Sequence, residues 1–425
     1  MRILFISQYY PPETGAAQNR LQDWAEYFAR VGHDVTVLTS FPSYPKGEVF
    51  DGFRGHILFE EDRGHVRILR SWAVVTRSRS FFPRLANYFS FVVTAFLAGL
   101  AKAGRQDVIL VELPPLFLGL SAIWLKRLKG ARLVINVSDL WPKSAVALGV
   151  LKNQTLIRWA TLLEEHLYRQ ADIITGQTSG IVGDIVRRFP EKTVAWVPNG
   201  VGGLHSSLGD QHKSDSRLIR QEFQIVDKCA VVYAGLHGMA QGLETVLRAA
   251  EILKHQTDIE FLLVGDGPEK QVLQKRAEEL RLANVSFYPP VASARMSRIL
   301  SALDIAIVPL KKHDLFQGAL PSKLFEAMGA GLPIVLSIRG EAQTLVEDSQ
   351  CGICIEPEDP GEMATAILKL ARSPALRARL GKNGREYVEQ RYNRSLIAER
   401  LAKLLLFNHS DHRESELQRE RLHQS

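Results

Sequence analysis

The chain has 425 residues, of which 46% are hydrophobic and 23% charged, with a formal net charge of +7. That length exceeds what one hydrophobic core serves, so two domains of about 200 residues are expected, and the composition excludes a fibrous chain or a long disordered region. Three cysteines cannot build a disulfide framework, and the opening Met1-Arg2-Ile3-Leu4-Phe5-Ile6 enters a strand without a signal-peptide pattern, so a cytoplasmic location is expected.

In chain order, β-rich runs over 2–7, 34–39, 107–111, 132–137 and 172–176 alternate with helical patterns over 17–30, 117–129 and 156–170. This alternation predicts a parallel sheet wrapped by helices, a doubly wound domain. After the first strand, Gln8-Tyr9-Tyr10-Pro11-Pro12-Glu13-Thr14-Gly15-Ala16-Ala17 leads into a helix. A glycine there lets backbone N–H groups approach an anion or a sugar hydroxyl, although a plain strand-to-helix connection has the same look.

From Arg63 to Gln106 there are seven arginines, one lysine and no Asp or Glu, interleaved with Trp72, Phe81, Phe82, Tyr88, Phe89, Phe91 and Phe96. Cations beside large apolar rings suit an anionic lipid surface. The clean apolar run 88–101 is shorter than the roughly 20 residues of a bilayer span, so it is expected to dip into one leaflet; a core helix with a solvated basic flank is the alternative. No nucleic-acid motif accompanies the charge.

The polar, Gly-rich stretch 202–217 reads as the junction between domains. Beyond it, strands are expected over 230–234, 261–265, 285–288, 305–309 and 334–337, a second domain of the same kind. Glycine loops follow two of these strands: Tyr233-Ala234-Gly235-Leu236-His237-Gly238, and Val264-Gly265-Asp266-Gly267-Pro268. Backbone amides and a helix dipole at such loops can hold a diphosphate. In Leu320-Pro321-Ser322-Lys323-Leu324-Phe325-Glu326 a helix is expected to start near a Ser cap with Lys323 in its first turn. A cation there opposes the helix dipole unless an anion joins it, which points to a phosphate; a solvated surface lysine is the bland alternative. Cys351 and Cys354 have half a zinc spacing without further ligands and read as small core residues, so no metal is expected. The tail after Asn408 lacks apolar anchors and is expected to fray.

The segments VPNGV (197–201), VGDGP and KLFEAMGAGLPIV, with the ending 384–392 and its following helix, resemble the retaining glycosyltransferases of family 4. YYPPETGAAQNR, FPSYPKGEVFDGF, VSDLWP and YAGLHGMAQGLETVL resemble the branch that builds bacterial surface polysaccharides, including N-acetyl-L-fucosamine transferases of O-antigen synthesis. The resemblance runs from residue 1 to about 407. It implies the GT-B fold: an α/β architecture of two Rossmann-like doubly wound parallel-sheet domains facing a central cleft. The acceptor-binding domain is expected over 1–201, the nucleotide-sugar domain over 217–389, a final helix over 390–407 returning to the first domain, and a tail over 408–425.

The resemblance also implies site residues. A glutamate at the position of Glu326 binds the donor ribose hydroxyls, and Gly235, His237, Gly238, Gly265, Gly267, Val291, Leu320, Ser322, Lys323 and Leu324 join it in the donor site. Where the family pattern has a second glutamate, eight residues earlier, this chain has Gly318. Where many members carry an Arg and a Lys in the first glycine loop, it has Leu236 and Gln241. Lys323 is nominated as the substitute cation, with His237 as runner-up. Asp139 is expected either to orient the acceptor hydroxyl and assist its proton loss or to cap a helix, and Gly15, Ala16 and Arg20 are expected at the acceptor. No cofactor is implied, and the donor is expected to be UDP-linked. The expected partners are a lipid-linked saccharide and the inner-membrane surface. A sugar-nucleotide epimerase and a non-catalytic assembly partner are the rival readings.

Overall fold

A computed structural model describes residues 1–13, 15–43, 47–77, 81–202 and 210–406. In the first half, β1 (Arg2–Ile6), α1 (Ala16–Arg30) and β2 (Asp34–Ser40) are followed by the hairpin β3 (Leu58–Arg63) and β4 (Val66–Ser71). Then come α2 (Phe81–Lys102), β5 (Val108–Leu113), α3 (Leu118–Lys129), β6 (Arg132–Val137), α4 (Lys143–Ala147), α5 (Gln154–Gln170), β7 (Ile173–Gly176), α6 (Ser179–Arg188) and β8 (Thr193–Trp196). They form one eight-stranded sheet, β3-β4-β2-β1-β5-β6-β7-β8, parallel except for β3 against β4. Its central strands carry continuous apolar runs such as residues 108–111 of β5, VILV, because helices cover both faces.

The second half runs α7 (Asp210–Glu222), β9 (Cys229–Ala234), α8 (Leu243–Ile252), β10 (Ile259–Val264), α9 (Lys270–Glu279), β11 (Val285–Tyr288), α10 (Ser293–Ser301), β12 (Ile305–Pro309), α11 (Ser322–Gly329), β13 (Ile334–Ser337), α12 (Glu341–Ser349), β14 (Gly352–Cys354), α13 (Pro360–Ala371), α14 (Pro374–Arg391) and α15 (Arg394–Leu406). Its sheet, β11-β10-β9-β12-β13-β14, is wholly parallel. The strand order reverses at β1 in one sheet and at β9 in the other, and loops beyond the carboxyl ends of strands at such switch points are where open α/β sheets take ligands.

Several expectations change. The stretch 202–217 is not all linker, since α7 begins at Asp210 within it; 203–209 and the tail after 406 lie outside the described residues. The hairpin β3–β4 supplies what the basic segment lacks in its own sequence. Glu60 pairs with Arg67 and Lys102, Glu61 pairs with Arg63 and Arg70, and Glu48 pairs with Arg77. Arg70 is fully buried, so most of this positive charge is spent on neighbours.

Helix α2 is longer than the apolar run suggests and, by length and composition, could cross a membrane. One face, however, is core: Phe91, Val92, Ala95 and Ala98 pack with α3 against β2 and β4. Phe89, Val93, Leu97 and Leu100 stay exposed on the other face.

On the opposite side of the first sheet, α1 packs against α15. Ile397, Ala398, Leu401 and Leu405 join Trp24, Ala25 and Phe28 in one core. The chain crosses between domains where Val201 and Asn393 form a bridge, secured by Arg394, which donates to the Gly200 carbonyl at 2.9 Å and to Asp23 at 2.8 Å.

Candidate active site

The donor-side residues converge at the carboxyl ends of β9 and β10 and the start of α11. Lys323 and Glu326 are three apart in α11 and so share one helix face. The Lys323 Nζ lies 4.1 Å from the centre of the Tyr233 ring and donates to the Tyr233 hydroxyl at 2.7 Å. It makes no ion pair among the described residues. Burial lowers its pKa to about 7, against a raising influence from Glu326. The Glu326 carboxyl is itself raised by burial, with Arg394 and Lys323 pulling it down, and it accepts no hydrogen bond among the described residues. An ammonium and a carboxylate thus stand half-buried on one helix face with polar capacity to spare.

The glycine loops pack around this pair. Gly235 has φ +142°, and a Cβ there would lie 3.3 Å from Lys323 Nζ, so the backbone passes directly over the ammonium. Gly265, at φ +149°, has no room for a side chain against the Gly235 carbonyl, and Gly267 none against His237. The His237 N–H donates to the Asp266 carbonyl, which joins the two loops. Gly238 begins a short 3-10 turn, Met239–Gln241. Leu236 is half-exposed, while Gln241 keeps a buried Oε1 with no partner. A cavity of about 280 Å³ between α8 and α9, lined by Glu244, Arg248, Glu269 and Lys311, touches the loop at Gly238 and Met239 but includes neither Lys323 nor Glu326.

Two donor-side expectations change, the charge of His237 and the cap at Ser322. His237 is fully buried, and burial with Lys270 and Lys323 lowers its imidazole to about 4 despite Asp266. It is neutral at neutral pH and cannot be the runner-up cation. Ser322 is not a cap: Pro321 holds that position and no side chain caps α11, which leaves the first-turn amides without a side-chain acceptor. Leu320 and Leu324 point their side chains into the core, so only their backbone can serve a ligand. Val291 likewise packs, partly buried, against that core.

On the acceptor side, Gly15 is the N-cap of α1 and Ala16 its first residue. Arg20, expected at the acceptor, is 1% exposed and committed to the chain itself. It pairs with Glu112 at 2.7 Å, donates to Asn199 at 2.5 Å and Ser138 at 3.1 Å, and lies over Trp24. Asn136 donates to Glu112, and Thr175 donates to Asn136. This buried polar network under the ends of β5, β6 and β7 fixes the floor of the first domain. Asp139, just beyond β6, is an exposed residue whose carboxylate turns in toward α4 and accepts from the Ser144 hydroxyl at 2.6 Å. Desolvation raises its carboxyl, with Ser144 and the Leu140 N–H opposing. Pro142, not Asp139, is the N-cap of α4.

The two domains meet where Glu341, in the first turn of α12, accepts from the Ser179 N–H at 2.9 Å, the Ser179 hydroxyl at 2.7 Å and the Gly180 N–H at 3.3 Å. The α6 N-terminus is thereby satisfied by a carboxylate from the other domain. Beside it, a Cβ on Gly318 would lie 3.6 Å from the Gly180 Cα, so the backbones touch where the family pattern has its other glutamate. Neither Glu341 nor Tyr233 is marked as a site residue by any local sequence signal; both depend on contacts across the fold.

Known proteins bring this geometry into focus. Residues 15–200 match the family model for a glycosyl transferase 4-like domain, and residues 215–387 match that for glycosyl transferases group 1. A protein of Escherichia coli (strain K12) named "Putative colanic acid biosynthesis glycosyl transferase WcaI" is 26% identical over 401 residues, covering 92% of this chain and 96% of its own. Among solved structures, WaaG, described as a glycosyltransferase involved in lipopolysaccharide biosynthesis, superposes with a TM-score of 0.68 at 18% identity, covering 96% of this chain and 100% of that one. Anabaena Alr3699/HepE in complex with UDP-glucose gives 0.69 at 18% identity over 95% of this chain and 98% of that one. The fold is GT-B.

Proposed function

We propose that this chain, matched over both halves by glycosyl transferase family models, is a glycosyltransferase that moves a sugar from a UDP-linked donor, with retention, onto a lipid-linked saccharide during surface polysaccharide or lipopolysaccharide assembly. The observation that carries this reading is the Lys323 and Glu326 pair on one face of α11, with the ammonium directly beneath the Gly235 loop. In this reading Glu326 accepts the donor ribose hydroxyls, a use that matches its unfilled carboxylate. The diphosphate leaves toward Lys323 and the uncapped amides of α11, so departing charge meets groups fixed in advance, which is electrostatic catalysis requiring no metal. The acceptor hydroxyl attacks from the same face of the sugar. Asp139, with its carboxyl raised by desolvation, orients that hydroxyl and takes its proton. The names of WcaI and WaaG, with colanic acid and lipopolysaccharide biosynthesis in them, support the acceptor class.

The lipid-linked acceptor and a place on the inner face of the membrane draw support from one side of the first domain. The helices α2, α3 and α5 cover the same face of the sheet, and Phe89, Val93, Leu97, Leu100, Trp124 and Trp159 are exposed on them. Exposed cations Arg105, Arg127, Lys152 and Arg158 accompany these side chains, and from Pro114 to Leu163 the only carboxylate is Asp139. Such a face suits an anionic bilayer.

Thermal stabilisation against a panel of UDP- and GDP-linked sugars tests the donor. At 100 times Kd the cognate sugar nucleotide stabilises by about 2.7 kcal/mol, and Glu326→Gln is expected to lose most of that shift. A Glu326→Gln protein stabilised as well as the wild type removes Glu326 from the site. Loss of sugar from the nucleotide without any acceptor requirement would instead favour the epimerase reading.

A further inference from the structure

Tyr233 is wholly buried at the end of β9, yet its hydroxyl is not idle. It accepts from Lys323 Nζ at 2.7 Å and donates its own proton to the Leu236 carbonyl at 2.6 Å, while the ring centre lies 4.1 Å from the ammonium. A phenol has one proton to give and lone pairs to receive with, so both bonds can form at once only with this polarity. The Leu236 carbonyl is thus turned inward, away from the side on which the loop amides would meet an anion. Lys323 gains both a hydrogen-bond acceptor and the negative face of an aromatic ring at a site where it has no ion-pair partner among the described residues.

We propose that Tyr233 is the positioning residue of the donor site: it aims the Lys323 ammonium at the diphosphate and locks the Gly235–Gly238 loop in the conformation that receives it. This rests on the reading that the loop and α11 hold the donor diphosphate. It explains how the chain manages with Leu236 and Gln241 in that loop, because a neutral partner leaves the ammonium charge to be matched by the ligand, whereas a carboxylate partner would neutralise it. The groups facing Lys323 are Glu326 on its own helix, Tyr233 on β9 and His237 in the loop, with Arg394 acting on Glu326. Of these, only Tyr233 touches the ammonium and the loop together.

The test uses the full chain and two probes, UDP and uridine, titrated calorimetrically between pH 6 and pH 9. In Tyr233→Phe the ring remains and the hydroxyl goes. UDP affinity is expected to fall on the order of tenfold while uridine affinity holds, since one charge-assisted bond is lost from the diphosphate side alone. The fall of UDP affinity with rising pH should move to lower pH, because the charged form of Lys323 has lost an acceptor. In the Lys323→Met background, adding Tyr233→Phe should cost less than it does in the wild type, because only its hold on the Leu236 carbonyl is left to lose. Unchanged UDP affinity and pH profile in Tyr233→Phe, an equal loss for uridine, or additive losses in the double variant each overturn the proposal. Should Tyr233→Phe fail to fold, Lys323→Met alone decides: a UDP pH profile identical to wild type sinks the pairing. A wild-type protein that binds neither UDP nor GDP overturns the parent reading, a distinct result from a silent Tyr233.

Discussion

Lys323 keeps an ammonium where the fold gives it a phenol and a helix start but no carboxylate in contact, and this has a signature in stability as well as in binding. Its folded pKa of about 7 lies below the ordinary 10.5, so between those values the unfolded chain holds the proton more tightly and stability rises with pH. The burial cost is fully present below about pH 7 and fades toward pH 10.5. Lys323→Met should therefore be more stable than wild type near pH 6.5 by an order of a few kcal/mol, with the gap closing by pH 10; chemical denaturation of both proteins at the two pH values checks this. A gap that stays constant would show that Lys323 is not desolvated. At this scale the sequence was legible where chemistry is local, since a lysine opposing the dipole of its own helix is visible in PSKLFE. Arg20 was not legible, because its partner Glu112 lies 92 residues away and an arginine near a loop looks the same whether free or paired. His237 misled for a related reason: its neutrality comes from burial, which no short motif reports.

Among the elements, the central strands and principal helices follow from apolar runs and periodicity, whereas the edges do not. The strands β3 and β4 are rich in charged residues, and what makes them strands is their pairing, with Glu60 across to Arg67 and Glu61 to Arg70. The strand β14, three residues long, is too short to rise above the signals of its flanking loops. The basic segment looks unpaired in sequence because its acids, Glu48, Glu60 and Glu61, lie upstream of Arg63. The apolar outer face of α2 remains, and it carries the membrane prediction. Leu97→Glu together with Trp159→Glu should reduce co-sedimentation with phosphatidylglycerol-containing vesicles by tenfold or more, because each buried apolar side chain is worth about 1.5–3 kcal/mol. Both positions are exposed, so the melting temperature should hold. Retention of full vesicle binding by this double variant would dismiss the face as a docking surface.

At the scale of the whole molecule, the contact of Glu341 with the α6 N-terminus holds one domain against the other. Its hydrogen bonds are solvent-exposed, so Glu341→Ala should cost the observed domain contact only about 1 kcal/mol, roughly a fivefold shift in population. Small-angle scattering should report a larger radius of gyration without nucleotide and recovery toward the wild-type profile with it. Indistinguishable free profiles would mean that the contact does not govern closure. The return of α15 to the first sheet has a different outcome. Ile397, Leu401 and Leu405 seal the flank formed by Trp24 and Phe28, each contributing about 1.5–3 kcal/mol. The ribosome therefore releases the first two hundred residues with that oily flank still bare, and it stays bare while the entire second half is made. Completion of the earliest part of the polypeptide thus waits on a helix that begins only at Arg394, and a gene cut at the middle would encode a fragment short of its own wall.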